Sequence, residues 1–427
     1  MTTGAGRRPA TAPSPRRGAI DVARVLALLV VVLGHLLLAV IDRPHGQIRG
    51  ANLLALHPRW AWIAVLSPMP IFFAAAGWAN TRSTAVSAAP RLRALVGLGA
   101  VAVCGWSIAV FVAVVTTGEP GIVGDGARLA TQPLWFVAAY VPFAAAGARL
   151  ARLGDRHPGG ALAVALVVLA AIDVARFALG APDWIGWPAF YLAWGTPWVA
   201  GAWWRARCED GTIDERRTGA TLALVAGTAA ALLVLIAEYH PALIDAVDGA
   251  RSNTNPPTLY TAVVSLAQVG VLLVGAHALD VAGRRWRSLW DRLGEAAVGV
   301  YVWHLTALAV CAAVVAAGFP VSERLTVEWW STRPLWWAAV LAVTMGFVGL
   351  TAFARSTLAG RSRRAGPPSV RRVVAGVFVA ALAGAYVGLE GPATVSQAAV
   401  SSASFVVAWS MLRSPPVVRA PAVPPVV

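Results

Sequence analysis

The sequence predicts an all-α, polytopic membrane protein, and three observations carry that prediction. Of its 427 residues 58% are hydrophobic and only 13% are charged, a balance too apolar for a water-soluble globule. The apolar residues fall into about twelve runs, most near the length that a helix needs to cross a bilayer. Arginine supplies all 35 of the Lys and Arg charges, and it is concentrated on alternate connections between those runs. The net charge of +15 therefore reads as an orientation signal beside anionic lipid, and nucleic-acid binding is not expected.

In chain order, residues 1–18 are rich in Pro, Ser, Thr, Gly and Arg, with nothing to bury, and predict a disordered basic tail. The apolar spans then lie near 20–40, 61–80, 94–116, 132–150, 160–179, 186–204, 218–237, 258–280, 295–317, 334–353, 373–389 and 393–412. The first is long and has no small-residue cleavage signal, so it reads as a retained helix. In the second, Pro68, Met69 and Pro70 predict a kinked or broken helix that exposes backbone to a cavity. Asp173 and Arg176, three apart in the fifth, can pair on one helix face. The eighth is entered through Asn253, Thr254, Asn255, Pro256, Pro257 and Thr258, helix-start chemistry that also suits the lining of an external pocket. Glu295 opens the ninth, where a carboxylate suits the positive end of a helix. The final span is rich in Ser and Ala, and the last two read either as two extra transmembrane helices or as a weakly inserted hairpin. Trp60, Trp62, Trp184, Trp187, Trp203, Trp204, Trp329 and Trp330 mark span ends as interfacial anchors.

Placing the Arg-rich connections inside puts both termini in the cytoplasm of a plasma-membrane protein. The chain divides into the tail 1–18, a ten-helix core 19–354, an Arg-rich loop with two extra helices 355–413, and a Pro-rich tail 414–427.

Chemistry concentrates in the first span. At about 100° per residue, Arg24 and His35 project from one helix face, and Asp21 shares it. Arg24 falls near the inner entrance and His35 about 16 Å further in, near the midplane. Such a histidine serves function or bonds to a neighbouring helix, and the first span alone does not decide between them. His304 lies about ten residues into the ninth span, which runs in the same direction, so its depth matches that of His35. A neutral imidazole suits a general base near pH 7. Cys104, Cys208 and Cys311 are widely spaced, no metal-binding or phosphate-loop pattern occurs, and neither a metal nor a bound cofactor is expected.

These residues sit in strings that resemble the acyltransferase 3 family of integral-membrane acyltransferases. A basic residue, ten residues and a His appear in DVARVLALLVVVLGH, followed by PMPIFFAAAGWAN at 68–80, QPLWFVAAYVP at 132–142, NTNPPT at 253–258 and VYVWH at 300–304. The five occur in the family's order over roughly 20–353, although Gly77 and Trp78 stand where many members have Ser-Gly. The resemblance implies O-acylation, an acyl-CoA donor from the cytoplasm, and a carbohydrate, lipid-linked or small hydroxylated acceptor of the cell envelope. It implies His35 and Arg24 as catalytic residues, with His304, Tyr301, Trp135, Asn255, Asp21, Arg82 and Arg93 as supporting or substrate-binding candidates. Direct attack by the acceptor hydroxyl and an acyl-His intermediate both fit. The rival from another class is a twelve-helix secondary transporter, which also buries ionisable groups at the midplane, but the two halves show no evident similarity.

Overall fold

The computed structural model describes residues 17–42, 49–57, 60, 63, 65–243, 252–318, 322, 325–359 and 368–413. The chain opens with α1 (Gly18–Leu38), a hairpin of β1 (Ala39–Asp42) and β2 (Arg49–Asn52), and the single-turn α2 (Leu53–Leu56). It continues through α3 (Met69–Ala79), α4 (Ala85–Thr117), α5 (Gly121–Thr131), α6 (Trp135–Arg156), α7 (Pro158–Phe177), α8 (Ala189–Glu209) and α9 (Glu215–Leu235). The remainder is α10 (Leu259–Arg285), α11 (Arg287–Gly318), α12 (Val327–Ala359), α13 (Val370–Leu389) and α14 (Val395–Met411). Each apolar span in the sequence overlaps one of these helices, the second only over Met69–Ala79. Among the described residues, nine helices are long and apolar enough to cross a membrane. The helical fold class is therefore the observed one, and the protein is a multi-pass membrane protein.

Helix α1 packs against α3, α10 and α11, which places its polar residues inside the bundle. Its N-terminus is fastened by Arg17. The Arg17 guanidinium bonds Glu215 at 2.8 Å and Asp280 at 2.9 Å, and lies over the rings of Trp78 and Trp204. Asp280 also accepts the backbone N–H of Ala19 at 2.7 Å, capping the positive end of the helix. Burial alone would lower the pKa of Arg17, but hydrogen bonds and charge from Glu215 and Asp280 outweigh it and raise the value above that of an ordinary arginine.

Helices α3 and α8 touch backbone to backbone. A Cβ on Gly77 would collide with the Trp198 carbonyl, and one on Gly201 with the Ala74 carbonyl. Small residues allow this approach, as expected where helices associate without water to expel.

Several expectations change. Of the two forms expected for the second span it is the broken one: α3 starts at Met69, with Pro68 and Pro70 at its entry, where a missing N–H costs no helical bond. Glu295 does not open a helix, because α11 begins eight residues earlier, and its side chain is exposed in the helix body. Trp204 and Trp329 are not interfacial, being 0% and 1% exposed, and the Trp204 indole donates to Glu215. Trp62 lies outside the described residues. The last two helices dock closely, α13 on α6 and α14 on α4.

Candidate functional site

The backbone of α1 delivers Arg24 and His35, and that of α11 delivers Tyr301, His304 and Thr306. His35 lies seventeen residues into α1 and His304 seventeen into α11, each about 26 Å from its helix start. The rings meet there. His35 Nδ1 lies 2.8 Å from His304 Nε2, with ring centroids 5.1 Å apart and planes 14° from parallel. His304 is completely buried and His35 partly so. His35 occupies the last turn of α1, since the helix ends three residues later.

The partners assign the protons. His304 Nδ1 lies 2.8 Å from the Tyr301 carbonyl oxygen, which can only accept, so Nδ1 carries hydrogen. In a neutral ring Nε2 is then the acceptor, so His35 Nδ1 must donate to it. The lone pair of His35 is left on Nε2. This is the arrangement of a base oriented by a second group, with the second group itself oriented by backbone.

Tyr301 is fixed in turn by donating its hydroxyl to the Pro133 carbonyl at 2.8 Å. An aromatic wall runs from this point towards Arg24. Tyr301 meets Phe136 at 5.4 Å between centroids, Phe136 meets Phe72 at 5.0 Å, and the Arg24 guanidinium carbon lies 6.0 Å from the Phe72 ring. Among the described residues, no carboxylate pairs with Arg24. Trp135 meets Phe136 and Phe190 edge-on and lies tilted against Trp194.

Four candidates stand elsewhere. Asp21 lines a recess at the start of α1 with Gly283, Arg284, Arg287 and Trp290. Arg82 is 3.7 Å from Glu209, and Arg93 lies over the ring of Trp409. Asn255 is exposed on the approach to α10, where the organising residue is Asn253 instead. The buried Asn253 amide donates to the carbonyls of His240 and Ala242, and its Oδ1 accepts from Thr258. Asp173 caps the same helix by accepting from Leu259 N and Tyr239, beside Arg176 at 3.8 Å.

Sequence reasoning did not single out Phe72, Phe136 or the Pro133 carbonyl. The first two lie inside quoted motifs, but a backbone acceptor leaves no signal in residue types. Nor did it find the Arg17 node, whose signal is two acids, Glu215 and Asp280, beside Arg-rich connections.

Among the described residues, no group of three or more His, Cys, Asp or Glu side chains is placed to hold a metal. Residues 17–355 match the sequence profile of a family described as an acyltransferase domain. No curated protein and no solved structure matches the chain.

Proposed function

Since the chain belongs to the acyltransferase 3 family of integral-membrane acyltransferases, we propose that it moves a short acyl group, acetyl being the simplest, from acyl-CoA to a hydroxyl of a glycan, glycolipid or related compact acceptor. The observation that carries the reading is the His35–His304 contact, with the lone pair left on His35 Nε2. In the reaction, His35 Nε2 takes the proton of the acceptor hydroxyl as its oxygen attacks the thioester carbon. The C–S bond then breaks, and the imidazolium returns that proton to the departing thiolate. His304 accepts the Nδ1–H of His35 throughout, holding the ring and easing its positive charge.

Arg24 would hold the donor on the inner side, through its phosphates or the thioester oxygen. With Arg82 against Glu209 and Arg93 against Trp409, Arg24 is the cation facing the aromatic wall. The reading places the donor in the cytoplasm, both termini on that side, and the enzyme in the plasma membrane. It needs no bound cofactor.

The test is transfer from labelled acetyl-CoA into extracted glycolipid and polysaccharide, using membranes with matched amounts of wild type, His35→Ala and Arg24→Ala. Removing the base should cost about 10² to 10⁴ in rate. Label unaffected by His35→Ala would remove His35 from the chemistry, and no wild-type label with several acyl donors would remove acyl-CoA.

A further inference from the structure

The two C-terminal helices lie beyond the matched residues 17–355, yet they reach towards the histidine pair by two independent routes. On the first route α13 meets the turn that opens α6. A Cβ on Gly384 would stand 2.7 Å from Ala138 N and 2.9 Å from the Leu134 carbonyl, and one on Gly388 would stand 2.5 Å from Trp135 Cβ. The adjacent Pro133 carbonyl accepts the Tyr301 hydroxyl, and the Tyr301 carbonyl accepts His304 Nδ1–H.

On the second route α14 meets α4. Ser107 donates to the Ala398 carbonyl at 3.2 Å and accepts from Ser402 at 2.8 Å. Its neighbour Trp106 donates its indole N–H to Thr306 Oγ1 at 3.1 Å. Helix α11 is thus gripped three residues before His304 and two residues after it. Each grip is backed by one arm of the hairpin.

We propose that the α13–α14 hairpin is a positioning element for acyl transfer: it braces the Pro133 turn and the Trp106–Ser107 step, and through them keeps His304 in register with His35. Tyr301 and Trp106 are then positioning residues that never touch the reacting atoms. The inference rests on the reading that the histidine pair carries the transfer.

The test uses the full chain in purified, monodisperse form and measures kcat, KM for the acyl donor and the pH profile of kcat/KM. Tyr301→Phe removes one hydroxyl and should lower kcat about tenfold with KM within about twofold, the effect of a lost buried hydrogen bond on a positioned base. Gly388→Leu, which reaches the site only through the turn, should lower kcat similarly and move the acid limb of the profile in the same direction. Combining the two should add little, because both act along one path.

Ser107→Ala tests the second route without added bulk, and also serves if Gly388→Leu does not fold. It should lower kcat while leaving KM in place. Wild-type kcat and an unmoved acid limb in Gly388→Leu or Ser107→Ala would overturn the proposal. His35→Ala, assayed in parallel, separates the two levels: activity retained there defeats the reading of the site. Activity lost there but intact in the hairpin variants defeats the positioning role alone.

Discussion

A carbonyl oxygen decides which way the protons point. Because the Tyr301 carbonyl can only accept, His304 presents a lone pair to His35, and a replacement at 304 is graded by whether it still does so. His304→Gln offers an amide oxygen and should keep more activity than His304→Leu. The leucine variant strands a buried donor at a cost of about 1–3 kcal/mol, or roughly ten- to a hundredfold in rate. Equal rates for the two would deny the acceptor role, and steady-state kinetics reads the difference. A second histidine answers to pH. His240 Nδ1 accepts the Ala242 N–H, and burial lowers the pKa of the ring from its ordinary 6.5. A base with a lowered folded pKa is stabilising while neutral, so stability should be full above about pH 6.5 and decline as pH falls below it. Melting temperature against pH in detergent, compared with His240→Asn, would show this as a shallower acid loss in the variant.

Helices were more legible than their ends. Apolar length located them, because in lipid a segment must satisfy its backbone internally, and that condition is written in composition. The ends depend on neighbours. Glu295 carried the look of a helix start, but the eight residues before it belong to the same helix. Proline was informative in kind and misleading in detail: Pro68 and Pro70 did mark a break, but it is the beginning of α3 and not a bend within it. Close helix contacts left a fainter mark, since a glycine at an interface and one facing lipid look alike in sequence. Gly201→Ala and Gly77→Ala should each force α3 and α8 apart at a cost of about 1–3 kcal/mol. Gly105→Ala, whose Cβ meets nothing within 4 Å, should leave stability unchanged. Thermal denaturation in detergent, followed by loss of the monodisperse peak, compares the three directly.

The fold class of the whole molecule could be read from charge and hydropathy alone, and so could the equal depth of two histidines that lie 269 residues apart in the chain. Their direct bond could not, since helix adjacency is set by packing of α1 against α11 and not by either helix's own sequence. The proposed orientation follows the arginines. Single cysteines at 157 and 210 should react with a membrane-impermeant reagent only after the inner face is opened, and one at 181 should react from outside. Reversed labelling would invert the orientation and, with it, the side from which the donor arrives. The shortness of α3 has a consequence at this scale. The Phe72 ring, one turn into the helix, lies 6.0 Å from the Arg24 guanidinium carbon, so α3 begins close to the Arg24 end of the aromatic wall. A backbone that stops being helical inside a bilayer is tolerated only where protein or water, and not lipid, surrounds it. The stretch that leads into α3 meets that condition on α10, where the Gln268 side chain donates to the Val65 carbonyl at 2.7 Å, so the irregular backbone at the entry to this short helix is tied to protein.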